Sequence, residues 1–232
     1  NSPEGVGVNS STNRIYVANY SGNTVSVIDG STNKVQSTIS SMGMPRGVEV
    51  NSSTNRIYVA DRYNKVRVIE GATNAVISTI SVESRPYGIG VNSSTNRIYV
   101  ANYTSWTVSV IDGTTNTVVS TISVESGTSG VGVNSSTNRI YVANAGSGSL
   151  SVIDGTTNEV VSTISVGAQP WGVGVNSSTN HIYVANAGSG TISIIDGATN
   201  TVISTISVGS TPYSVGVNSS TNRIYVANYS GN

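Results

Sequence analysis

The sequence predicts an all-β fold, a β-propeller of four-stranded antiparallel blades, and three observations predict it. The eleven residues NSSTNRIYVAN at 9–19 return, nearly unchanged, from Asn51, Asn92, Asn134, Asn176 and Asn218, with Asp61 closing the second copy and His181 replacing Arg in the fifth. The Ile-Tyr pair inside them falls at Ile15, Ile57, Ile98, Ile140, Ile182 and Ile224, spaced 42, 41, 42, 42 and 42 residues apart, which marks a repeat architecture. Valine or isoleucine recurs two apart in the apolar runs, as at Val25/Val27 and Val108/Val110; that is the period of a strand, and helical spacing is nowhere sustained.

One period, residues 85–126, shows the elements in order. Strand A is GIGV (88–91), entered from a Pro-containing stretch and left through NSST. Strand B is RIYVA (97–101), strand C is TVSVID (107–112) after NYTSW, and strand D is VVSTISV (118–124) after GTTNT. Val, Ile and Thr suit pleated strands, and Asn, Gly and Ser suit the turns between them. Four strands of about five residues with short loops fill roughly 40 residues, one antiparallel meander. A lone meander cannot bury both faces, so neighbours must cover it, and a period near 40 with four strands is that of a propeller blade. A β-helix is the runner-up, disfavoured because its coils are shorter and rarely carry four turn signals each.

The units run over 3–44, 45–85, 86–127, 128–169 and 170–211, with a half unit at 212–232, in one domain of 1–232. The half unit supplies an inner strand pair. Six blade positions with an incomplete sixth are therefore expected, with a five-bladed ring and a displaced half unit as the alternative, because open propellers expose strand edges that proteins avoid. The free edge of the half blade predicts self-association.

Eleven Lys and Arg balance eleven Asp and Glu, and only 9% of residues are charged, so the basic footprint of nucleic-acid or anionic-membrane binding is missing. No apolar run approaches the roughly 20 residues of a membrane span. Cysteine is absent, which removes disulfides and thiolate metal sites. No signal peptide opens the chain, which starts and stops inside a repeat, so a mature product or a piece of a longer array is expected.

The blocks IYVAN, VSVIDG, TISV and Pro-x-Gly at fixed spacing resemble the YVTN-type β-propeller repeat of surface-layer and other cell-surface proteins, over the whole chain. That resemblance implies an extracellular or cell-surface location and a structural or binding role. The second copy departs from the pattern: ADRYNKVRVIEG (60–71) is one residue shorter in its B-to-C loop and has Glu70 for the usual Asp.

Comparison among the copies separates two kinds of loop. NSST and Asp-Gly-x-Thr-Asn barely change, whereas the D-to-A and B-to-C loops, expected on the opposite face, change in almost every copy. Asp29, Asp112, Asp154 and Asp196, each followed by Gly, read as turn chemistry rather than metal ligands. The variable loops carry Arg46, Arg62, Tyr63, Arg85, Tyr87, Tyr103, Trp106, Trp171 and Tyr213, a candidate binding face because Trp, Tyr and Arg anchor interfaces; packing between blades is the structural alternative. Asn9, Asn51, Asn92, Asn134, Asn176 and Asn218 each open an Asn-Ser-Ser acceptor pattern for glycosylation. The single histidine, His181, reads as a surface position, and Glu49 alone breaks the small, apolar pattern of strand A. One carboxylate supplies neither an acid–base pair nor a coordination sphere, so no catalytic residue, metal or cofactor is expected. The expected function is a non-enzymatic scaffold or adhesion propeller binding protein or glycan, the alternative a lectin-like module on the aromatic face, and a metal-dependent lactonase or lyase a distant third.

Overall fold

The computed structural model describes residues 2–230; Asn1, Gly231 and Asn232 of the expected domain lie outside them. Twenty-two strands and no helix are present among the described residues. The first blade is β1 (Pro3–Asn9), β2 (Arg14–Asn19), β3 (Thr24–Asp29) and β4 (Lys34–Ile39), and the second β5 (Pro45–Asn51), β6 (Arg56–Asp61), β7 (Lys65–Glu70) and β8 (Ala75–Ser81). The third is β9 (Pro86–Asn92), β10 (Arg97–Asn102), β11 (Thr107–Asp112) and β12 (Thr117–Ser123), and the fourth β13 (Thr128–Asn134), β14 (Arg139–Asn144), β15 (Ser149–Asp154) and β16 (Glu159–Ser165). The fifth is β17 (Pro170–Asn176), β18 (His181–Asn186), β19 (Thr191–Asp196) and β20 (Thr201–Ser207), and the sixth holds β21 (Pro212–Asn218) and β22 (Arg223–Asn228) alone. Each sheet is an antiparallel meander in chain order. The fold is a β-propeller with six blade positions, the last incomplete.

The chain divides into two compact units, Asn1–Ser105 with Ser109–Thr121, and Trp106–Val108 with Ile122–Asn232. In the first, β1 lies against β5 and β5 against β9; in the second, β13 lies against β17 and β17 against β21. The same chemistry makes each junction. Tyr16 and Ala18 of the first blade are fully buried against Val48, Ile57 and Val59 of the second. Gly7 permits that approach, because a Cβ there would come within 3.0 and 3.1 Å of the Val48 and Val50 methyls.

The uniform loops are explained by two sets of hydrogen bonds. Asn9 Oδ1 accepts the amide of Ser11 at 3.1 Å, which closes its own turn, while its Nδ2 donates to Asn55 Oδ1 of the next blade at 2.7 Å. Asn51 donates to Asn96, Asn134 to Asn180 and Asn176 to Asn222, each at 2.8 Å. Asp29 Oδ1 accepts the amides of Ser31 and Thr32, both at 2.9 Å. Asn13 and Asn33 take φ of 53° and 57°, left-handed values that Asn tolerates better than most residues. The repeated letters thus serve the turns and the joints between blades at once.

Candidate functional site

A register shift between Pro45 and Val48 marks a bulge at the start of β5, and bulges re-aim side chains. Arg46, within it, places its guanidinium 4.6 Å from the centre of the Tyr20 ring and 4.5 Å from that of Tyr87, and pairs with Glu4 at 3.2 Å. The row extends both ways. Arg62 donates to the Tyr20 hydroxyl on one side, while on the other the Tyr87 and Tyr103 rings lie 6.2 Å apart and Arg85 sits 5.0 Å from the centre of Tyr103. Tyr63, 60% exposed, donates its hydroxyl to the Met44 sulfur at 3.7 Å. Cations over ring faces are held by the ring quadrupole, each worth about 0.5–2 kcal/mol depending on solvation. Hydrogen bonding from Arg46 holds the Tyr20 phenol below its ordinary pKa. Burial pushes the Glu4 carboxyl up, against the pull of Arg46 and Arg62.

Three residues further along β5 stands Glu49, opposite Tyr58 of β6, on the sheet face where a Cβ at Gly47 would meet Tyr87 and Ile89 of β9. The other first strands carry Gly7, Gly90, Gly132, Gly174 and Gly216 at this position. Among the described residues Glu49 has no salt-bridge partner, and its carboxylate accepts the Val50 amide at 3.3 Å. Glu49 is half-buried, and the apolar neighbours that desolvate it push its pKa up to about 7, which that one hydrogen bond only partly offsets. A carboxyl titrating there can both take up and give back a proton near neutrality.

The second blade departs from the repeat a third time. In the other complete blades an Asn amide at the end of strand B donates to a Ser hydroxyl on strand C at 2.9 Å: Asn19 to Ser26, Asn102 to Ser109, Asn144 to Ser151 and Asn186 to Ser193. Here the pair is Asp61 and Arg67 at 3.2 Å, with Asp61 fully buried and also accepting the Gly43 amide at 2.8 Å. Both substitutions are visible in the sequence, in the same copy and on adjoining strands, a signal that the sequence reading left unused. It also left unused the pairing of Glu4 with Arg46.

The remaining candidates belong to the second unit. Trp171 stacks on Tyr213 with ring centres 5.2 Å apart. Trp106 is 53% exposed with φ 55°, at a left-handed turn position that Asn23, Asn64, Gly148 and Gly190 occupy elsewhere. The expected face therefore separates into an Arg–Tyr row on the first unit, a stacked ring pair on the second, and one exposed tryptophan. Of the expected glycosylation acceptors, Asn9, Asn51, Asn92, Asn134 and Asn176 are fully buried, and Asn9, Asn51, Asn134 and Asn176 donate across a joint to the next blade; Asn218 is exposed. Among the described residues, no three His, Cys, Asp or Glu side chains gather where a metal ion could sit.

Comparison with known proteins matches residues 60–228 to the model of a family described as Glutamine cyclotransferase. Among solved structures, the Kuenenia stuttgartiensis hydrazine synthase superposes with a TM-score of 0.69 at 15% identity, covering 99% of this chain and 96% of that one, a likeness of fold. No curated protein matches the sequence. The family match corrects three expectations. The resemblance to YVTN-type surface-layer repeats gives way to it, because the blocks that carried that resemblance are the buried strands and tight turns of a blade and specify a blade rather than a lineage. A non-enzymatic scaffold, adhesion or lectin-like function falls with it, since the matching family is one of enzymes. So does the exclusion of catalysis: it counted carboxylates without weighing what burial does to the one that was there.

Proposed function

The chain belongs to the glutamine cyclotransferase family, and from that premise we propose that it is an enzyme that cyclises glutamine. In such a reaction an amine nitrogen attacks the side-chain amide carbon, a new C–N bond forms, the bond to the original amide nitrogen breaks, and ammonia leaves. One proton must come off the attacking amine and one must reach the departing nitrogen. A single carboxyl with a pKa near the working pH can do both in turn. Glu49 is our assignment for that role, and the observation that carries it is a carboxyl on an inner strand where the other copies have glycine, without an ion-pair partner among the described residues and accepting a single hydrogen bond, from the Val50 amide at 3.3 Å; desolvation there raises its pKa to about 7.

The Arg46 row begins three residues before Glu49 on the same strand and supplies planar rings and guanidinium groups that suit a peptide backbone and its side chains. Glu4, partly neutralised by Arg46 at 3.2 Å, favours an amino group over an anion. The test is ammonia release by the purified chain from peptides beginning with Gln, against the same peptides beginning with Asn, whose closure would need a strained four-membered ring. Turnover of the Gln peptides alone, reduced about 100-fold or more by Glu49→Gln, is the expected result. Release no faster than in buffer would refute the assignment.

A further inference from the structure

The second blade ties its loops together differently from its neighbours. In the third blade the Ser84 amide of the D-to-A loop donates to the Ser105 hydroxyl of the B-to-C loop at 2.8 Å, and in the fifth the Ala168 amide donates to the Ser189 hydroxyl at 2.7 Å. The B-to-C loop of the second blade, Arg62-Tyr63-Asn64, is one residue shorter and carries no serine. Its counterpart amide, that of Gly43, donates to Asp61 Oδ2 at 2.8 Å, while Asp61 Oδ1 accepts the Tyr63 amide at 3.3 Å. Glycine is needed for that approach, because a Cβ at Gly43 would lie 2.3 Å from Asp61 Oδ1 and 2.6 Å from the Tyr63 ring. Asp61 is fully buried, and a buried carboxylate needs a compensating cation. Arg67 provides it, reaching Asp61 Oδ2 at 3.2 Å and the Thr79 hydroxyl of the outer strand at 3.0 Å. The shortened loop, Asp61 and Arg67 are therefore one set of changes, each explained by the others.

Both loops that Asp61 holds lead into the Arg46 row. Gly43 lies three residues before Arg46, and Tyr63 follows Arg62, whose guanidinium donates to the Tyr20 hydroxyl. Met44 ties the two loops together: its carbonyl accepts the Arg62 amide at 3.4 Å, and its sulfur accepts from Arg62 at 3.8 Å and from the Tyr63 hydroxyl at 3.7 Å. The Asn that stands here in the other copies has one acceptor oxygen in place of two and would turn a donor toward one of the loop amides. We propose that Asp61 is a positioning residue for substrate binding: braced by Arg67, it fixes the two loops that set Arg46 and Arg62 against Tyr20. This rests on the reading of the Arg46 row as the surface that holds a peptide.

Two variants of the full chain test it, Asp61→Asn and the double variant Asp61→Asn/Arg67→Ser, which writes the pair of the other copies into the second blade. The single variant leaves Arg67 without its partner and should lower the urea midpoint; the double variant should recover most of that loss. The row should not recover with it. KM for Gln peptides is expected to rise about 10-fold in both variants while kcat stays within about 2-fold, as loss of a holding contact predicts. Spectrophotometric titration of Tyr20, taken as the difference from Tyr20→Phe, reads the row without substrate: hydrogen bonding from Arg46 holds that phenol below its ordinary pKa, and both variants should let it rise. Gly43→Ala, which pushes the same loop off Asp61, replaces the double variant if circular dichroism shows the latter unfolded. A wild-type chain that releases no ammonia would refute the proposed function and leave the Tyr20 titration to decide the positioning by itself. A double variant with the wild-type KM, or with the wild-type Tyr20 titration, would overturn the role of Asp61.

Discussion

Strands β5 and β13 occupy equivalent places in the second and fourth blades, one reading Arg46-Gly-Val-Glu49 and the other Ser129-Gly-Val-Gly132. In the fourth blade everything closes inward: the Ser129 hydroxyl is buried and donates to the Pro170 carbonyl at 2.9 Å, and a Cβ at Gly132 would lie 2.7 Å from Val173. In the second, the same backbone sends Arg46 out between two tyrosine rings and sets a carboxyl against the next blade. A repeat fold can thus carry chemistry in one copy because the others carry the stability. Positions that stay the same build the joints, and the copy that trades glycine and serine for charge is where the proposed reactivity lies.

The largest effect should come from forcing the fourth blade to imitate the second. Gly132→Glu drives a carboxyl between valines that leave no room for a Cβ, so a loss of about 3 kcal/mol or more is expected from overpacking and desolvation together. Denaturant midpoints would measure it, and a tolerated substitution would show that the joints are looser than their geometry implies.

Next comes the pH dependence of the second blade. Glu49 titrates at about 7 when folded against an ordinary value of 4.5, so the native state binds more protons between those values. Its contribution to stability is full below about 4.5 and is lost as pH rises toward about 7, a decline on the order of 3 kcal/mol. Glu49→Gln should flatten that decline in a urea series run at several pH values; an unchanged slope would place its origin elsewhere.

Removing the guanidinium between Tyr20 and Tyr87 should cost less. Arg46→Gln is expected to lower stability by about 1 kcal/mol and to raise KM for Gln peptides more than it lowers kcat, as loss of a holding contact does. A selective fall in kcat would instead bring Arg46 into the chemical step. Trp106→Asn should be the mildest, stabilising by about 1 kcal/mol or less, since it restores at φ 55° the residue type of the first two copies.

The strands and the turns were legible because they are written repeatedly: Ile57, Ile98 and Ile140, fully buried in the structure, all sit in the one motif that fixed the period. The Asn-Ser-Ser sites showed only part of their role in the letters, for a physical reason. A sequence shows that Asn9 begins a turn, but not that its amide also crosses to Asn55 of the next blade. Arg46, Tyr87 and Tyr103 could be singled out as unusual, whereas their alternation into one row depends on three blades standing side by side. Glu49 was visible as an exception, but its raised pKa comes from the apolar surroundings that desolvate it, which letters do not record.

The central claim is that one carboxyl on β5 performs the proton transfers, and the pH dependence of kcat/KM for a Gln peptide tests it most directly. The wild-type profile should show an apparent pKa near 7, matching Glu49, and Glu49→Asp should retain measurable turnover with a shifted profile while Glu49→Gln loses the inflection along with the activity. A wild-type profile with the same inflection as Glu49→Gln would contradict the account.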